Sequence, residues 1–153
     1  MCIRDRLMNE LKEKGVYEIT PEMKEKLADF RGGYATEEET AEMIHDTYKK
    51  TGYVMDTHTA VAAYVCKKYR EESKDTKKCL VASTASPYKF CNSVLQALGQ
   101  ESDAPGTELI EKLSEVTKTA IPKPLEGLDR REKRFELVVD KLEMKATVAD
   151  FLK

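Results

Sequence analysis

The chain has no tryptophan and only two histidines, His45 and His58, far apart in sequence. Its four cysteines, Cys2, Cys66, Cys79 and Cys91, form no CxxC pair and have no histidine close by. A zinc site or a disulfide framework is therefore not expected. Free cysteines inside apolar stretches imply ordinary core packing in a reducing compartment, and a cytoplasmic location follows as an expectation. No apolar run approaches the roughly 18 residues of a membrane span, and no signal-peptide pattern is visible, so no membrane partner is expected. The 26 Lys and Arg are interleaved with 28 Asp and Glu and form no basic stripe, which argues against nucleic acid. GxGxxG and GxxxxGK loops are absent, as are a carboxylate pair and a Ser-His-Asp arrangement.

What is present is an ordinary soluble balance, 41% hydrophobic and 35% charged. A chain of 153 residues fits one domain or part of a larger one, and a complete domain of that size buries roughly 70% of its extended surface. MCIRDR, residues 1–6, is charged and patternless and reads as a non-native leader. Residues 7–14 read as the end of a helix stopped by Gly15, and 16–19 as a short strand-like run. Thr20-Pro21 reads as the start of a helix, broken by RGGY at 31–34. Thr36 with Glu39 forms a capping box, and the helix behind it stops at Gly52.

Residues 53–99 read as strand, helix, strand, helix. YVMD supplies the first strand, and Asp56 or Thr57 caps the helix THTAVAAYVCKKYREE. Residues 77–83, with CLVA at their centre, supply the second strand, because continuous apolar character implies burial on both faces, as in a parallel sheet. Ser86-Pro87 then caps YKFCNSVLQAL. The fold class expected is α/β, a right-handed βαβα unit from a parallel sheet flanked by helices. A linker at 100–106, a helix TELIEKLSEV, a proline-punctuated stretch, an edge strand RFELVVD, and a last helix capped by Asp140 and Glu143 make a mostly helical C-terminal extension, 100–153.

In open α/β sheets ligands bind beyond the carboxyl ends of strands, and Ser83, Thr84 and Ala85 stand at such an end. A hydroxyl there both donates and accepts. The helix start at Pro87 would add free N–H groups suited to an anion, with Lys89 in its first turn. The plainer reading is that Ser and Thr before a proline only cap the helix and that Lys89 is a solvated charge. His58, in the second turn DTHTA (56–60), is either a general base or a ring packed inside the turn.

These two turns together resemble those of the threonine synthase family. YVMDTHTAVA is similar to that family's DPHTA segment, with Thr57 in place of the usual proline. VASTASPYKF is similar to its STAHPAKF segment, with Ser86 for histidine and Tyr88 for alanine. The run-in GGYATEEETAEMIHDTYKKTGYVMDTHTA and the tail 121–152 extend the likeness over roughly 7–153. The resemblance implies a fold-type II pyridoxal-phosphate enzyme of the tryptophan-synthase-β type. Residues 7–99 would end its cofactor-binding domain. The reaction implied converts O-phosphohomoserine and water to threonine and phosphate, a carbon–oxygen lyase activity. The family's cofactor lysine lies upstream in an SFKD-like segment that this sequence lacks, as it lacks the glycine-rich phosphate loop. The chain therefore resembles a C-terminal fragment, inactive without the missing N-terminal part and carrying no catalytic residue of its own. By the same resemblance Thr84, with Ser83 beside it, would face the pyridine nitrogen, and Lys89 would attract the substrate phosphate. The alternatives are a non-catalytic α/β interaction module and a related pyridoxal-phosphate lyase or dehydratase.

Overall fold

The computed structural model describes residues 2–100, 103–104, 106–132, 134 and 136–152. Positions 101, 102 and 105 of the expected linker, and Phe135 of the expected edge strand, lie outside them. Seven α-helices form among the described residues: α1 (Ile3–Lys14), α2 (Pro21–Lys26), α3 (Glu37–Thr51), α4 (Thr57–Ser73), α5 (Cys91–Ala97), α6 (Glu108–Thr117) and α7 (Met144–Phe151). No helix among them is long and apolar enough to cross a membrane.

The caps explain where the central helices start and stop. Thr36 and Glu39 satisfy each other's backbone N–H groups at 3.2 and 2.8 Å, and three glutamates fill the first turn of α3 against the helix dipole. Gly52 ends α3 with φ +74°, a left-handed conformation that glycine adopts without a Cβ clash. Asp56, not Thr57, caps α4, accepting from the amides of His58 and Thr59 at 2.9 and 3.3 Å.

The core lies between α3, α4, α5 and α6. Ile44, Ala60, Val94, Leu95 and Leu113 are almost wholly buried there, with Val54, Met55 and Tyr88 completing the cluster. Two tyrosines tie its rim. Tyr48 donates to the carbonyl of Val116 at 3.2 Å, and Tyr88 donates to that of Thr119 at 2.8 Å. By contrast α1 buries only Leu7, and α2 and α7 bury nothing.

The α/β expectation is overturned: the parallel-sheet βαβα unit does not form, and no strand is present among the described residues. Residues 53–56 form no regular element and are buried from Val54 to Asp56, but they pair with no neighbouring backbone among the described residues. Residues 77–83 form no regular element and lie open, with Leu80 98% exposed. A strand is defined by its ladder partner as much as by its own residues. The apolar run CLVA carries the composition of a doubly buried strand without the two faces that would bury it. The segments 16–19 and 136–140 also stay irregular.

Smaller corrections have local causes. The helix expected to end over 7–14 reaches back to Ile3 as α1. The helix expected from Pro87 opens as a four-residue 3-10 turn, Pro87–Phe90, before α5 starts at Cys91. Asp140 accepts from the amide of Leu142 at 2.9 Å, closing a local turn. It does not cap α7, which starts only at Met144.

Candidate functional site

The two motif turns converge. Asp56 sits at the start of α4 with 1% of its surface exposed. Besides its two amide donors it accepts a hydrogen bond from the Thr59 hydroxyl. Thr59 Oγ1 lies 3.2 Å from Ser83 Oγ, and the Tyr53 hydroxyl lies 3.5 Å from the same serine oxygen. Four side chains from both segments thus form one connected polar line.

Its direction follows from proton counting. Thr59 has one hydroxyl hydrogen, and the buried carboxylate is the stronger acceptor. Ser83 must then donate to Thr59, and Tyr53 donates to Ser83. Every hydrogen in the line points toward Asp56. The Ser83 hydrogen is committed, whereas the Thr84 hydroxyl is exposed and has no hydrogen bond to another described residue. Two adjacent hydroxyls of similar appearance in sequence therefore stand in different chemical states.

Ser86 serves as a cap, its hydroxyl accepting from the Tyr88 amide at 3.3 Å, while its carbonyl accepts from the Lys89 amide at 3.0 Å. The free N–H groups expected at this turn are thus already used, and a four-residue 3-10 turn has little dipole. Lys89 remains exposed, its ammonium 6.0 Å from the centre of the Phe90 ring. The His58 ring rests on the same phenylalanine with centroids 4.9 Å apart, and its Nδ1 lies 3.5 Å from Asp56 Oδ1. Of the residues singled out in sequence, Asp56 and Ser83 are joined through Thr59, and His58 and Lys89 share Phe90.

Thr59 and Tyr53 were not singled out by motif reasoning. Thr59 was legible in principle: a threonine three residues after an N-cap aspartate places its hydroxyl over the cap carboxylate. Tyr53 carried no signal, because its role depends on where residue 83 lies in space.

Elsewhere in the fold, Glu39 links α3 to α4. The Tyr64 hydroxyl donates to it, and that bond, followed by the Thr36 amide, holds the Glu39 carboxyl below its ordinary value. The same contact pushes the Tyr64 phenol up.

The sequence profile described as "Threonine synthase, C-terminal" matches residues 59–148. A mouse protein named threonine synthase-like 1 is 35% identical over 123 residues, 80% of this chain and 15% of the relative. Threonine synthase of Schizosaccharomyces pombe is 37% identical over 105 residues, 66% of this chain and 20% of the relative. The crystal structure of pyridoxal-phosphate-bound threonine synthase from Brucella melitensis matches with a TM-score of 0.67 and 26% identity, covering 96% of this chain and 28% of that one. The chain thus spans less than a third of each of these relatives. With the profile covering more than half of its residues, the chain belongs to the threonine synthase family, in its C-terminal region.

Proposed function

We propose that this chain is the C-terminal portion of a threonine synthase, and that it contributes the hydroxyl-bearing wall of a pyridoxal-phosphate pocket whose lysine and phosphate loop come from an N-terminal part of the same enzyme. The observation that carries the reading is the hydrogen-bonded line from Tyr53 through Ser83 and Thr59 to Asp56, which joins the two motif turns. The donor set fits one edge of the cofactor. A neutral, exposed Thr84 hydroxyl can donate to a ring nitrogen that an aspartate would instead keep protonated. When bound, pyridoxal phosphate withdraws electrons from the substrate's reacting carbons.

In this reading Thr84 touches the cofactor, and Ser83 positions it by anchoring the strap to α4. Lys89 remains free to attract the phosphate of O-phosphohomoserine as a flexible point charge. The open Leu80 and Val81 are the surface that the N-terminal part would cover.

The test joins this chain to an N-terminal part from the fission-yeast enzyme and measures phosphate and threonine release from O-phosphohomoserine. Turnover to both products by the joined enzyme, and none by the chain alone, is the expected result. Phosphate release without threonine would favour a related lyase. In the joined enzyme Lys89→Ala raises the KM for O-phosphohomoserine roughly tenfold with kcat little changed. An unchanged KM removes Lys89 from the substrate site.

A further inference from the structure

Cysteine spacing gave no reason to pair Cys66 with Cys79, yet their thiol side chains meet, both free. Cys66 is on α4 and half-buried; Cys79 is on the open segment 77–83 and exposed. The other two cysteines have different surroundings. Cys91 is buried, its thiol donating to the carbonyl of Tyr88 at 3.1 Å, and Cys2 is exposed at the start of α1. Only the Cys66–Cys79 pair brings two thiols together.

A shallow, open surface patch beside Cys66 carries Lys67, Arg70 and Lys74 set against Glu71 and Asp75. Cations outnumber carboxylates there, which suits a small molecule carrying carboxylates. We propose that Cys66 and Cys79 form a thiol–disulfide exchange site, which a small carboxylate-bearing disulfide of the oxidised-glutathione type converts to an intramolecular clip between α4 and segment 77–83.

The exposed Cys79 reacts first. Its thiolate attacks one sulfur of the small disulfide and expels one small thiolate. The Cys66 thiolate then attacks the Cys79 sulfur of the mixed disulfide and expels the second. Two protein thiols lose two electrons and two protons, and the small disulfide is reduced to two thiols. The order agrees with the environment of Cys66, whose thiol is pushed up by the Cys79 sulfur beside it and by burial, so it keeps its proton until a mixed disulfide forms next to it. Ser83 lies four residues beyond Cys79, so the clip also anchors the strap that carries the hydroxyl line.

The clip stands apart from the enzymatic reading, and neither depends on the other. The test incubates the intact chain with oxidised glutathione, quenches with acid, alkylates the remaining thiols and maps the cysteine peptides by mass. The folded chain is expected to lose two of its four thiols, as a Cys66–Cys79 cross-link, roughly tenfold faster than in concentrated urea, where the pair is no longer held together. Cys66→Ser is expected to stop at glutathione on Cys79. Should that variant fail to fold, the wild-type map decides alone. Equal rates in folded and unfolded chains, cross-links mainly through Cys2 or Cys91, or glutathione persisting on wild-type Cys79 would each overturn the proposal.

Discussion

Replacing Asp56 tests the centre of the site. Its carboxylate accepts from two amides and from the Thr59 hydroxyl, with almost no exposure to water. In Asp56→Ala both amides lose their cap, which costs about 1–2 kcal/mol. The hydroxyl of Thr59, a residue only 4% exposed, loses its acceptor, which costs about 1–3 kcal/mol. The hydroxyl can turn to Ser83 at 3.2 Å, so the lower part of that range applies and the total is roughly 2–4 kcal/mol. At this chain length that lowers Tm by roughly 4–16 °C. Asp56→Asn keeps one carbonyl oxygen for the amides but presents an NH₂ to Thr59. The line must then reverse direction, at a cost of about 1 kcal/mol. Urea unfolding followed by helical circular dichroism measures both variants, with an unchanged slope required for comparison. An Asp56→Ala unfolding free energy within about 0.5 kcal/mol of wild type would refute the claim that the cap and the hydroxyl line depend on this carboxylate.

Leu113→Ala removes a side chain with no exposure from the face of α6, and urea unfolding should register a loss of about 2–5 kcal/mol. Leu80→Lys should leave that midpoint within about 0.5 kcal/mol of wild type, because Leu80 is 98% exposed. It should also raise the monomeric fraction seen by light scattering; an unchanged fraction would mean that the apolar strap does not drive association. The Glu39 carboxyl is held below its ordinary value of 4.5, chiefly by Tyr64, so its contribution is fully present above that value and is lost as pH falls through the lowered one. Scanning the urea midpoint from about pH 6 to about pH 3 should show a slope that Tyr64→Phe flattens; equal slopes in the two proteins would place the acid sensitivity elsewhere.

The helical part of the molecule was legible because its signals are local. The Thr36–Glu39 box, Gly52 and the aspartate before THTA each act within one turn of chain, and each marks a real boundary. The sheet was not legible, because apolar runs report only that cover is wanted, and not whether a neighbour supplies it. YVMD found that cover among the core helices, and CLVA did not. The same limit hid the Cys66–Cys79 contact: spacing rules describe ligands and bridges on regular motifs, whereas this pair meets because α4 ends and the chain folds back along it.

The candidate site illustrates the division more finely. In sequence the resemblance placed Thr84 at the cofactor with Ser83 beside it, but no local signal separated the chemical states of the two hydroxyls. The neighbours of each separate them. Ser83 has Thr59 on one side and Tyr53 on the other, so its hydrogen is consumed in holding the strap to α4. Thr84, one residue on, lies exposed. A serine whose hydrogen is committed cannot also donate to a ligand without breaking the line, whereas a threonine with no hydrogen bond to another described residue can donate at no such cost. If the hydroxyl pair serves a cofactor, anchoring and contact fall to different residues. Ser83→Ala should then loosen the strap and Thr84→Ala should not, a difference that hydrogen exchange across 77–85 reads directly.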